Sequence, residues 1–134
     1  MIIEIDSNKI CKLAATSALS WRIEIEKIIT DQINNPKDYI VPVHSYENLP
    51  TVGGMYPYRY VMDKLIPLNH YERILFKLFQ SKVITLEDKH YSPGFYEWLL
   101  NNKEYNYHDW KASNIMKDDI GEFRIIDLEG FVGH

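Results

Sequence analysis

The chain reads as an α+β protein: a small antiparallel sheet with one long helix, followed by a second part that is mainly helical. Three observations lead there. β-branched and aromatic runs bounded by turn residues recur through residues 1–63. Apolar residues at three-to-four spacing mark helices between those runs and again after them. A turn rich in Asp and containing Gly121 separates two short apolar runs late in the chain, which predicts a hairpin. At 134 residues, 46% of them hydrophobic, the chain can bury one good core.

Taken in order, Met1 to Ile5 and Lys9 to Leu13 read as two strands joined by the turn-forming triplet Asp6-Ser7-Asn8. A helix is expected from about Ser17 to Asn34, with Thr16 or Ser17 as its cap and Asn34-Asn35-Pro36 as its stop. Leu19, Ile23, Glu26, Thr30 and Ile33 fall along one face of it. Tyr39 to His44 and Tyr58 to Asp63 are further β-rich runs, separated by a polar loop from Asn48 to Gly54. Two more helices are predicted, over Asn69 to Phe79 and over Pro93 to Asn101. The hairpin closes the order, with Asn114-Ile115-Met116 leading in, Lys117 to Glu122 turning, and Phe123 to Ile126 returning.

The chemistry concentrates in Tyr107-His108-Asp109-Trp110-Lys111-Ala112-Ser113-Asn114, followed by Ile125-Ile126-Asp127-Leu128-Glu129-Gly130. Asp109 and Lys111 are two apart, Asn114 is five after Asp109, and Asp127 is 13 after Asn114. Phosphoryl transfer needs a divalent cation to screen the phosphates, a carboxylate near the attacking hydroxyl and a cation on the transferred group. Oxygen ligands from Asp and Asn suit magnesium. The hairpin would bring Asp127 back beside Asn114.

These two stretches resemble the catalytic and metal-binding loops of the protein kinase-like superfamily, whose H-R-D-L-x-x-x-N and D-F-G motifs lie at a similar interval. The resemblance implies that Asp109 is the catalytic base, that Lys111 accompanies the transferred phosphate, and that Asn114 and Asp127 hold magnesium. Tyr107 departs from the family's usual His, and Glu129-Gly130 replaces its single Gly. Asp-Leu-Glu-Gly is closer to small-molecule kinases such as aminoglycoside and choline phosphotransferases, whereas Asp-Trp-Lys is closer to protein kinases, so the substrate class stays open.

Carried along the chain, the resemblance makes Ile10-Cys11-Lys12 similar to the strand whose lysine, here Lys12, holds the α- and β-phosphates. The helix would supply that lysine's glutamate, Glu26, with Glu24 as competitor. Tyr60 to Leu65 resembles the segment between lobes, where backbone groups near Asp63 and Leu65 would bond adenine. It implies a single minimal kinase-like domain over residues 1–134, with 1–63 resembling the small lobe and 64–134 a reduced helical large lobe. No Gly-x-Gly-x-x-Gly loop precedes Lys12, and no Ala-Pro-Glu motif follows Asp127.

A net charge of −4 and a pI near 5.7 argue against nucleic acid or an anionic membrane as partner. A single cysteine, Cys11, rules out an internal disulfide framework and fits a reducing cytoplasm. No apolar run is long enough to span a bilayer, and the first residues lack a signal-peptide profile. The five histidines do not fall at zinc-ligand spacing, and there is no Gly-x-Ser-x-Gly elbow. Apolar surface around Trp98, Trp110, Phe123 and Phe131 is expected to need cover, which suggests a homodimer. Two functions follow from the resemblance. One is an ATP- and magnesium-dependent kinase acting on a hydroxyl acceptor, either a small molecule or a protein. The alternative is a kinase-like binding or regulatory protein, a pseudokinase or inhibitor.

Overall fold

The computed structural model describes residues 1–80, 93–101 and 111–132. The order of elements is β1 (Ile2–Glu4), β2 (Lys9–Thr16), α1 (Leu19–Asn34), β3 (Val43–Asn48), β4 (Tyr56–Asp63), β5 (Ile66–Pro67), α2 (His70–Gln80), α3 (Pro93–Asn101), β6 (Ile115–Lys117) and β7 (Phe123–Ile125). Short 3-10 turns cover Ala112–Asn114 and Leu128–Phe131. The architecture is α+β, with one antiparallel sheet of order β1-β2-β4-β3 and a smaller one of order β5-β6-β7. Among the described residues no helix is long and apolar enough to cross a membrane.

The turns follow from their residues. Asn8 N–H donates to the Asp6 carboxylate at 2.7 Å and Ile5 N–H to Lys9 O at 3.0 Å, closing β1 onto β2. Between β3 and β4, Gly53 and Gly54 both take positive φ, +57° and +77°, as a tight hairpin turn demands of both central residues. In the β6–β7 hairpin, Asp118 Oδ1 accepts from Ile120 and Glu122 N–H, and Gly121 sits at φ +86°.

The large sheet packs one face on α1. Tyr58, Tyr60 and Met62 alternate inward along β4, and Ile25 and Ile29 come down on them from the helix, with Val43 and Leu128 completing the core. A second cluster joins Leu68, Phe76, Phe95, Tyr96, Ile115, Phe123 and Ile125, so α2 and α3 cover the small sheet.

Several expectations are corrected. The helix begins at Leu19 with Ala18 as its N-cap and no side-chain cap, so neither Thr16 nor Ser17 performs that role. Its buried face is Ile25, Ile29 and Gln32, whereas Leu19 and Ile23 are 45% and 51% exposed. Gln32 is tolerated there because its amide donates to Val41 O at 3.2 Å and accepts from Lys37 N–H at 3.0 Å. The third strand runs over Val43–Asn48 rather than Tyr39 to His44. Pro42 has no N–H for a ladder, and the preceding residues bond elsewhere: Val41 N–H reaches Ile125 O at 2.9 Å, and Ile125 N–H reaches Tyr39 O at 2.8 Å. Phe123 is fully buried, and Trp98 and Phe131 pack against the two cores, so the surface expected to need a partner is covered there by the chain itself; Trp110 lies outside the described residues. Exposed apolar side chains lie instead on Ile2, Ile3, Ile5, Trp21 and Ile23.

Candidate functional site

Lys12 reaches the site from the inner face of β2, where it stands opposite Tyr60 of β4. The alternation of Ile10, Lys12 and Ala14 sends these three side chains to the core side, and a lysine there keeps its charged end at the rim on a flexible stem. From the other sheet, the 3-10 turn before β6 presents Asn114, and the end of β7 leads into Asp127. Ile126 N–H donates to Asn114 O at 3.0 Å, which fixes these two segments side by side.

Between the sheets lies a cleft of about 430 Å³. Lys12, Asn114 and Asp127 form its polar end, Asp63, Lys64 and Leu65 its back edge, and Ile2, Ile10, Met62, Met116 and Ile126 its apolar walls. An apolar cavity of this size with a few convergent polar groups is the usual form of a small-molecule site. Two surface pairs frame the back edge: Lys64 to Glu4 at 2.7 Å and His44 to Asp63 at 2.5 Å.

The charge network at the polar end has a centre the sequence reading missed. Glu129 Oε2 accepts from Lys12 Nζ at 3.0 Å, Glu129 Oε1 accepts from the Tyr58 hydroxyl at 2.8 Å, and the Tyr60 hydroxyl donates to both oxygens at 3.1 and 3.0 Å. Asp127 Oδ1 is 3.7 Å from the same ammonium. Burial opposes a charged Glu129, but the Lys12 ammonium and the hydrogen bonds from Lys12 and Tyr58 outweigh it, so its carboxyl lies below the ordinary value. The Tyr58 and Tyr60 phenols are held well above theirs, first by burial and then by the Glu129 charge. Only its place two residues after Asp127 marked Glu129 in the sequence.

The expected site residues divide into four groups. Lys12, Asp63, Leu65, Asn114 and Asp127 all line the cleft. Lys111 is exposed at the start of the turn that ends in Asn114, and its carbonyl accepts from Asn114 N–H at 2.9 Å. Asp109 lies outside the described residues. Glu26 accepts from Asn48 on β3 at 3.2 Å and Glu24 is exposed, so the lysine's carboxylates come from Glu129 and Asp127 instead of α1. Asp63 N–H donates to Pro42 O at 3.0 Å, which engages the amide expected to meet adenine.

Asn114 and Asp127 contribute an amide oxygen and a carboxylate to the lining of the same cleft, with the Asp127 side chain 30% exposed. That donor set fits magnesium, which keeps several waters and binds through one or two protein groups plus substrate phosphates. Among the described residues no group of three or more His, Cys, Asp or Glu gathers into an all-protein cage. Comparison of the chain with protein-family models and with curated protein sequences finds no match.

Proposed function

We propose that the chain is an ATP- and magnesium-dependent phosphotransferase of kinase-like fold, acting on a hydroxyl acceptor. The observation that carries this reading is the convergence of Lys12, Asn114, Asp127 and the Asp63–Leu65 segment on one cleft, although they come from four separate parts of the chain. In the reading, the apolar walls take the adenine, and with the Asp63 amide engaged, the Leu65 backbone meets its edge. Lys12 directs its ammonium at the phosphates, and Asn114 and Asp127 hold the metal. Bound magnesium would screen the phosphate oxygens and so lower the barrier to transfer. Lys111 sits on the acceptor side, and Asp109 orients the acceptor hydroxyl and takes its proton.

Titration calorimetry with ATP, with and without magnesium, followed by an ATP-turnover assay on the same sample, tests the reading. Magnesium-dependent binding with turnover supports it. Asp109→Asn should then keep nucleotide affinity and lose turnover, since that residue serves the acceptor. Absence of nucleotide binding would overturn the reading. Binding without turnover would favour the second reading, a nucleotide-holding regulatory protein, for which the specific observation is that α1 gives Lys12 no carboxylate.

A further inference from the structure

We propose that Glu129 is the positioning residue for Lys12, so that the lysine's aim is governed by the segment carrying Asp127 and not by α1. This rests on the phosphotransferase reading, in which Lys12 meets the phosphates. A lysine ammonium is a point charge on a four-carbon stem and is directed only by what it bonds. Lys12 bonds Glu129 at 3.0 Å, and Glu129 is itself fixed from the other side by two tyrosines. Those tyrosines belong to β4, paired directly with β2: Tyr60 stands opposite Lys12 and Tyr58 opposite Ala14.

The cradle is rigid. Tyr58 and Tyr60 are 2% and 1% exposed, and their rings stack 6.3 Å apart at 8°. Lys12 Nζ also lies 5.9 Å from the centre of the Tyr60 ring. Glu129 accepts from three side chains, Lys12, Tyr58 and Tyr60, the last sharing its one hydroxyl proton between both carboxylate oxygens. No comparable frame surrounds the helix carboxylates, since Glu26 is turned to Asn48 across β3 and Glu24 is exposed.

The arrangement couples two functions. Asp127, on the metal side, and Glu129, on the lysine side, are two residues apart in one segment, so a shift of that segment displaces both together. α1, by contrast, gives Lys12 no carboxylate and reaches it only through its packing on Leu128 of that segment. Regulation of this site would therefore act on the Asp127–Glu129 segment.

The test uses the full chain with Glu129→Gln and Glu26→Gln, reading steady-state kinetics for magnesium-ATP and the Lys12 ammonium ¹H–¹⁵N resonance, which is observed when hydrogen bonds slow its exchange. Glu129→Gln should lower kcat about 10- to 100-fold, the range set by one charge-assisted hydrogen bond, with little change in KM. It should also erase the Lys12 resonance, while Glu26→Gln alters neither. A loss reproduced by Glu26→Gln with Glu129→Gln neutral would overturn the proposal. So would a changed magnesium requirement in Glu129→Gln with the Lys12 resonance intact, since that would make Glu129 a metal ligand. If Glu129→Gln does not fold, Tyr60→Phe replaces it, with a smaller loss of the same kind expected and an unchanged kcat and resonance counting against. If the wild-type protein does not turn over ATP, the phosphotransferase reading fails separately, and the Lys12 resonance in the two variants still decides the pairing.

Discussion

Lys12 on β2 and Glu129 beyond β7 meet at 3.0 Å across 117 positions of sequence, and the two tyrosines beneath them tie the lysine that lines the cleft to the core. The junction between the two sheets is thus polar at one point, and its hydrogen bonds are satisfied from three elements. Partly satisfied buried networks are destabilising, so the integrity of this one bears on folding.

Tyr60→Phe removes a buried hydroxyl that donates to both Glu129 oxygens. The expected loss is about 1–3 kcal/mol, the range for a hydrogen bond to a charged group. Urea unfolding would measure it, and Tyr58→Phe combined with Tyr60→Phe should depart from additivity because both donate to one carboxylate. A loss below about 0.5 kcal/mol for Tyr60→Phe would place the network among neutral surface contacts.

Asp127→Ala should remove magnesium-dependent nucleotide binding while the chain stays folded. The Asp127 to Lys12 contact is long, 3.7 Å, and both side chains are partly exposed, so its share of stability is at most about 1 kcal/mol. Calorimetry with magnesium-ATP and a thermal melt on the same variant separate the two effects. Wild-type affinity in that variant would remove Asp127 from the metal site.

Local chemistry was readable where a residue's role is decided by its neighbours in sequence. Asp118 and Gly121 announce the β6–β7 turn, the bounds of α3 follow from Pro93 and the apolar residues after it, and Asp6 and Asn8 close the first hairpin. What failed depended on tertiary contacts. Ile23, Ile25, Ile28, Ile29 and Ile33 offer α1 more than one apolar face, and the face is chosen by β4 and Leu128, which the helix's own spacing does not encode. Glu24, Glu26 and Glu129 are chemically identical, and only the fold brings Glu129 to Lys12. The cleft residues Lys12, Asn114 and Asp127 were legible because each sits in a short stretch with its own chemical logic.

Glu72→Ala tests the join between α2 and the small sheet. Glu72 is 4% exposed, accepts from Lys117 Nζ at 2.9 Å and from Asn69 N–H at 2.9 Å, and its own N–H donates back to the Asn69 side chain at 2.8 Å. This reciprocal cap fixes the start of α2, as a box of Asn and Glu three apart is built to do. Glu72→Ala should cost about 2–3 kcal/mol because it removes a charged hydrogen bond to the partly buried Lys117 ammonium as well as the cap, against about 1 kcal/mol for Asn69→Ala, which loses only the cap. Denaturant melts of the two variants check the order, and equal losses would mean that the ion pair contributes nothing beyond the cap.

Alkaline pH should unfold the protein through its tyrosines. Burial, then the Glu26 charge, push the Tyr46 phenol up to about 12, and Tyr58 and Tyr60 are displaced in the same direction. A phenol whose folded pKa exceeds its unfolded value, about 10, stabilises the fold fully below pH about 10 and less as pH rises through the folded value. Stability should therefore decline from pH about 10 upward, and Tyr46→Phe should flatten the decline between about 10 and 12. Denaturant melts across that range measure the slope; an unchanged slope in Tyr46→Phe would mean that Tyr46 titrates as an exposed phenol.

Gly94→Ala should destabilise the protein although alanine is the better helix former by about 0.5–1 kcal/mol. Gly94 lies in the first turn of α3, and a Cβ there would run into the Tyr39 hydroxyl, with the ring carbon behind it at 3.3 Å. Tyr39 has little room to yield. Its ring packs against Phe95 and Trp98 at 6.1 and 5.7 Å, and its backbone is held at φ +68° while its carbonyl accepts from Ile125 N–H. Overpacking of this kind costs about 1–3 kcal/mol, more than the helix preference returns. Tyr39→Phe in the Gly94→Ala background removes the atom in closest conflict and should recover most of the loss, whereas the two changes would simply add if the alanine acted through α3 alone. A thermal-melt double-mutant cycle distinguishes these, and a stabilised Gly94→Ala would show that Tyr39 moves aside freely.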